Sequence, residues 1–237
     1  MAILPDIPPI KLDSKLISET ELMKYPQFAP NGVYILHMDG KLYLPEWWTA
    51  GSENVVGVAL ITDQCRFVIA PRDFGSHIVW YDKNDIHIPT VFTIRNSDAD
   101  LIKTDFGGKD NTRNAMSFLY ELDLSGDSDH EYAYPTNYAL GYCYMYKFRN
   151  GKTGYLGAIG EMWAIYQNLA AVNDALERIN GQKFEYTTSA TVAHWSSTQS
   201  SSGNAWGVMM DRGQINAIKK DYSGSNVCIV RPLCPLD

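Results

Sequence analysis

Short apolar runs broken by polar turns fill residues 32–70. VYILHM and KLYL flank Asp39-Gly40, a two-residue turn signal, and predict a β-hairpin over Gly32 to Leu44. VVGVALI and RFVIA, separated by Thr62-Asp63-Gln64, predict a second hairpin. From Asp110 the period changes. Ala115, Phe118, Leu119 and Leu122 fall on one helical face, with Asp110 or Asn111 at the cap. The aromatic stretch Tyr138 to Tyr146 predicts a short helix. Helical spacing returns at Glu161 to Asn168 and continues or restarts over Leu169 to Ile179. Its apolar side is Trp163, Ile165, Tyr166, Leu169, Val172 and Leu176, and Gly181 closes it. Strands and turns follow to the end. Hairpins, then helices, then a strand-rich C-terminal segment give an α+β fold.

The remaining stretches are polar. Residues 1–30 are Pro-rich, with one helical candidate from Ser18 to Lys24 and Glu21 at a capping-box position. Residues 1–54 are expected to form an N-terminal arm and hairpin serving oligomerisation or attachment, and residues 55–237 a ligand-binding domain. Of Trp47 and Trp48, one is expected in the core and one against a second subunit or the arm; the alternative packs both in a loop-lined core. Residues 125–137 carry Asp127, Asp129 and Glu131 but lack the ordered ligands and glycine of a calcium loop, so a solvated acidic loop is expected.

Composition narrows the class. Of 237 residues, 45% are hydrophobic and 20% charged, as in folded chains. Fifteen Tyr and six Trp suit both cores and recognition surfaces, because these side chains give large contact area at low entropy cost. A net charge of -7 argues against a nucleic-acid partner and against an anionic membrane surface. No apolar run reaches the ~18 residues of a membrane helix. MAILPDIPPIKLDSKL has no basic start, sustained apolar core or small-residue cleavage site, so the expected location is the cytoplasm or a phage virion. Cys65, Cys143, Cys228 and Cys234 form no CxxC pair and read as free, mostly buried thiols; a Cys228–Cys234 disulfide is the alternative. No cofactor or metal is expected.

Five pieces recur in a familiar order: GKDNT (108–112), GYLGAIGEMWAIYQN (154–168), VNDAL (172–176), HWSSTQSSSGNAW (194–206) and VRPL (230–233). Together, over about residues 55–235, they resemble the C-type-lectin-fold proteins of bacteria and their phages. Those include the variable proteins of diversity-generating retroelements, such as phage tropism determinants. The resemblance implies a C-type-lectin-like fold, two helices with mostly antiparallel strands. It implies that the Gly-Glu helix and the tryptophans are scaffold and that the C-terminal segment binds a cell-surface protein or glycan without chemistry. A tail-associated protein is the first expectation and a surface or secreted adhesin the second. A homo-oligomer, as a trimer, fits binding by avidity. The Glu-Pro-Asn or Gln-Pro-Asp and Trp-Asn-Asp triplets of calcium-dependent sugar-binding lectins are absent. Formylglycine-generating enzymes resemble the same fold and supply the rival enzyme reading. They need copper-binding cysteines, for which Cys228 and Cys234 are the near pair.

Between Trp195 and Trp206 lie Gln199, Ser200, Ser201, Ser202 and Asn204, small hydrogen-bonders of the type enriched in antibody loops. Strand alternation places Trp206, Val208 and Met210 inward and Gly207, Met209 and Asp211 outward. The candidate ligand-binding residues are Thr191, His194, Gln199, Ser200, Ser202, Asn204, Met209, Asp211, Gln214, Asn216, Lys219, Asp221, Tyr222, Ser223 and Ser225, with Tyr222 as a hot spot. An ordinary polar strand and turn is the alternative. His194 reads as a surface residue of a binding strand rather than a general base. Glu161 reads as a helix-start cap and Arg231 as a structural clamp. Pro232 suits a strand terminus.

Overall fold

The computed structural model describes residues 26, 29–75, 78–81, 88, 91–95, 98–124, 138–184, 192–221 and 227–236. Most of the expected Pro-rich arm, with its Ser18–Lys24 helix, and the acidic loop at 125–137 lie outside them. Among the described residues ten strands form two sheets. The first runs β2(Leu42–Tyr43), β1(Gly32–His37), β3(Val55–Ile61), β4(Arg66–Ile69), β10(Pro232–Pro235), β5(Tyr155–Leu156), antiparallel throughout. The second runs β8(Gln214–Lys219), β7(Asn204–Met209), β6(Val192–Gln199), β9(Val227–Ile229), with only the β6–β9 pair parallel. The helices are α1(Ala99–Ile102), α2(Gly108–Leu124), α3(Ala139–Met145), α4(Ile159–Gln167) and α5(Leu169–Arg178). The molecule is α+β with mainly antiparallel sheets, and it has more helical segments than the two expected.

Both expected hairpins form, with one correction. His37 N–H donates to Lys41 O at 3.0 Å, and Gly40 N–H to His37 O at 3.0 Å. The first turn is therefore a three-residue loop, Met38-Asp39-Gly40, and not the two-residue turn. Gly40 takes the left-handed position at φ 84°. The expected boundary after residue 54 falls within one sheet, because β1 pairs with β3 from Gly32↔Ile61 to His37↔Val55. Trp48 enters the core while Trp47 is 47% exposed at the end of a 3-10 turn.

All seven residues of β3 are buried. That is what a continuous apolar run needs when both faces of its sheet are covered. One face of the first sheet holds Tyr34, Leu36, Val68 and Phe148. On its other face Ile35, Val58, Phe67 and Leu233 pack with Ile159, Met162, Ile165 and Leu176 of α4 and α5, and this cluster continues to Trp206 and Val208 of β7. The far face of the second sheet is covered by Ile78, Trp80, Met116, Leu119 and Leu140. Burying each large apolar side chain stabilises by about 1.5–3 kcal/mol. Helical spacing ends at Asn168, whose φ of -110° breaks the ladder, so α5 is a restart. It closes in a Schellman motif: Gly181 N–H donates to Leu176 O and Asn180 N–H to Glu177 O. The left-handed residue is Asn180 at φ 53°, not the expected Gly181. Helix α2 likewise begins at Gly108, so Asp110 and Asn111 lie in its first turn rather than at the cap. No helix among the described residues is long and apolar enough to cross a membrane.

Candidate functional site

The site is built from β6 outward. All eight β6 residues are buried, although five of them are polar or charged in type. The ladder to β7 is regular at His194↔Val208 and Trp195↔Gly207, then shifts before Gln199↔Ala205. In this irregular stretch Ser197 meets α2 and Thr198 meets α4, while Ser196 turns back to β7. Thr198 Oγ1 donates to Asp105 Oδ2 at 2.7 Å and accepts from Ile159 N–H at 2.9 Å. Asn111 Nδ2 donates to Asp105 Oδ2 at 2.8 Å and to Ser197 Oγ at 3.3 Å. Ser196 Oγ donates to Trp206 O, and Trp80 Nε1 donates to Ser196 O at 2.6 Å. Trp195 and Trp206 donate to Ile78 O and Ile94 O. Every polar group of the WSST motif thus works inside the fold, as buried polar atoms must.

Gln199 extends the network. Its Nε2 donates to Ile88 O at 2.9 Å, and its Oε1 accepts from Ile88 N–H at 3.2 Å and Lys220 Nζ at 2.6 Å. Lys220 is 1% exposed and lies over the Trp80 ring. Below β6, His194 Nε2 lies 3.2 Å from Asp73 Oδ1, which also accepts from Arg231 Nε. Arg231 Nη1 donates to Ala70 O and Gln182 O, and the guanidinium covers Phe184. Burial alone would raise the Asp73 carboxyl, but the charges and hydrogen bonds of His194 and Arg231 hold it well below the usual carboxylate range. Arg231 is the clamp its position suggested. Glu161 accepts from Ala158 N–H at 2.7 Å and from Tyr155 Oη at 3.0 Å, the N3 half of a capping box. Burial pushes its carboxyl up to about 8.

The β7–β8 hairpin carries the exposed chemistry. Gly213, at φ 66°, closes its turn; a Cβ there would lie 2.3 Å from the Tyr166 ring, so only glycine lets the tip approach α4. Ile102, Lys103, Trp163, Ile215, Asn216 and Ala217 line a cleft of about 370 Å³ between β8, α1 and α4. Lys103 Nζ sits 4.2 Å from the Trp163 ring centroid and 3.7 Å from Asp100. A second cleft of about 580 Å³ continues past Lys103 and Trp163 to Gln64, Thr104 and Gln167.

The structure divides the expected binding residues. Asp211, Gln214 and Lys219 are exposed, and Ser202, Asn204, Asn216 and Asp221 are half-buried at the surface. His194, Gln199, Ser200 and Met209 are corrections: they are buried, at 0%, 0%, 8% and 7% exposure. The inward set Trp206, Val208 and Met210 is buried as expected, but Met209 and Gly207 are buried as well, because the sheet is covered on both faces. Thr191, Tyr222, Ser223 and Ser225 lie outside the described residues. Trp163 and Lys103 were missed as surface residues. The core stripe of α4 is Ile159, Met162 and Ile165, which leaves Trp163 and Gln167 a quarter-turn off it. The four cysteines are free. Cys228 and Cys234 pack in different clusters and the alternative disulfide is absent; burial pushes the Cys228 thiol up to about 12.

No family model matches the chain, and no curated protein does. Among solved structures, the fold is similar to that of a fimbrial protein from Bacteroides ovatus ATCC 8483, with a TM-score of 0.52 at 14% identity. The match covers 87% of this chain and 48% of that one, so this chain spans about half its length. At that identity the likeness is one of fold alone.

Proposed function

We propose that this protein is a non-enzymatic binding protein with a C-type-lectin-like fold, adhesive in role, whose ligand surface is the β7–β8 hairpin and the cleft beside Trp163. The observation that carries this is the division between β6 and β8. A buried polar network fixes β6, and the hairpin it supports exposes Asp211, Gln214 and Lys219 and brings Asn216 to the cleft lined by Trp163. Rigid anchors carrying adaptable polar groups are what recognition surfaces use. The fimbrial neighbour supports an adhesive role. The ligand is a cell-surface glycan or protein. The second reading is a retroelement-diversified, tail-associated variable protein. It is favoured by one specific feature: the exposed hairpin positions can change without touching the core, so diversified codons would fall at Ser202, Asn204, Asp211, Gln214, Asn216 and Lys219 and spare Gln199.

A glycan array and a whole-cell binding screen test the proposal. The native protein should bind, and Trp163→Ala combined with Asn216→Ala should weaken binding about tenfold or more with the fold retained. Equal binding by the double variant would sink this placement of the site.

A further inference from the structure

A separate cleft of about 260 Å³ lies where the ends of four segments meet: the start of β3, the residues after β4, those after α3 and those after α5. It shares no lining residue with the cleft beside Trp163. Its cations are Arg72, Lys147 and Arg149, and no Asp or Glu lines it. The other clefts described each carry a single cation, so three together stand out in a chain with 27 acidic and 20 basic residues. Elsewhere among the described residues Lys103, Arg113, Arg178, Lys183, Arg212 and Arg231 each sit against a carboxylate. The cations of this cleft are held by neutral oxygens instead, as Arg66 is by the carbonyls of Pro26 and Ala29. Arg72 Nη2 donates to Asn180 O at 3.1 Å, Arg149 Nη1 to Ser52 O at 3.0 Å, and Lys147 Nζ to Thr153 Oγ1 at 2.5 Å. These bonds orient the side chains and use only part of their donor capacity, since a guanidinium carries further N–H groups in a fixed fork.

From this we infer a second binding site, for one saccharide residue that bears a carboxylate. The planar guanidinium fork matches a carboxylate in two-point hydrogen bonding, and charge-assisted bonds of this kind are the strong ones. The volume lies just below the roughly 300–1,000 Å³ of pockets for drug-sized ligands, which suits a single ring better than a chain. Tyr146 and Pro71 give the wall apolar surface for the carbon face of a sugar, while Ser52 and Asn180 offer neutral polar groups for hydroxyls. The site stands or falls independently of the ligand proposed for the hairpin.

The test is calorimetric titration of the whole chain at about 50 mM salt with glucuronate, glucose and inorganic phosphate in parallel. Glucuronate is expected to bind, and glucose and phosphate to bind more weakly. Arg72→Gln combined with Arg149→Gln should weaken glucuronate binding about tenfold or more, with an unchanged melting midpoint because both residues are exposed. A double variant that binds glucuronate as well as the native chain overturns the proposal, as does absence of glucuronate binding. Phosphate binding as tightly as glucuronate also overturns it, by showing a plain anion site.

Discussion

Strands β6 and β8 lie in one sheet, separated only by β7, and both are rich in polar residues. Their roles are opposite. VAHWSSTQ is buried at every position, and its hydroxyls and amide tie α2, α4, Asp105, Ile88 and Val91 together. QINAIK is exposed or half-buried at every position and pairs only with β7 in the sheet. The difference teaches that small polar residues mark a recognition surface only where the partners for their hydrogen bonds are missing inside the fold. In β6 those partners are Asp105, Asn111 and the backbone carbonyls and amides of irregular segments, which need side-chain partners because they have no ladder of their own.

The hardest blow to the β6 side of this contrast is Asp73→Ala. It removes the carboxylate that faces both Arg231 and His194, all three nearly inaccessible to solvent. Stranding a buried charge in this way destabilises by about 3–5 kcal/mol. Chemical denaturation should show that loss, whereas a change below about 1 kcal/mol would mean that the cluster is not what anchors β6 to β10.

The next effect comes from pH and separates two buried carboxylates beneath the same scaffold. The folded pKa of Glu161 is raised to about 8 from 4.5, so its contribution is complete below pH 4.5 and is lost as pH rises through about 8. Asp73 shifts the other way: its contribution is present above 3.8 and is lost as pH falls below that. These two groups together place the stability maximum in mildly acidic solution. The Glu161 limb has a slope of up to about 1.4 kcal/mol per pH unit. Glu161→Gln keeps an acceptor for Ala158 N–H and should flatten the limb between pH 4.5 and 8 while leaving the acid limb of Asp73. Denaturation midpoints measured across pH 3–9 decide this, and an unflattened curve would remove Glu161 as its cause.

Much of the fold was legible because apolar pattern reports burial directly. The continuous run of β3 and the 3.6-residue spacing of α4 and α5 gave those elements nearly to the residue. The clamp role of Arg231 and the capping role of Glu161 were legible from position. The site was legible only in part. Alternation along β7 assigned Met209 to an outer face, but alternation cannot tell a half-exposed strand from one sandwiched between two cores. Val79, Trp80, Ile88 and Val91 cover that second face from a segment with no periodic signal, so nothing local announced it. Gln199 was read as surface for the same reason: its partners lie more than a hundred residues away at Ile88 and Val91. Trp163 was assigned to the helix core because its neighbours one turn away are apolar, although it sits at the border of the stripe.

The finest test uses one residue type on both strands. Gln199→Ala deletes the amide that holds Ile88 through both its N–H and its C=O and accepts from Lys220, all of it buried. The loss should be about 1–3 kcal/mol, because buried groups keep their desolvation penalty when a partner goes. Gln214→Ala deletes the same amide from an exposed position at the start of β8 and should change stability by less than about 0.5 kcal/mol. Ligand binding should respond in the opposite order: Gln214→Ala alters affinity with the fold intact, while Gln199→Ala acts only through stability and recovers at lower temperature. Urea midpoints for the two variants, read beside their binding to whole cells at 10 °C and 30 °C, separate these responses. If both variants were equally destabilised, β8 would belong to the scaffold, and the ligand surface would have to lie elsewhere than on the hairpin.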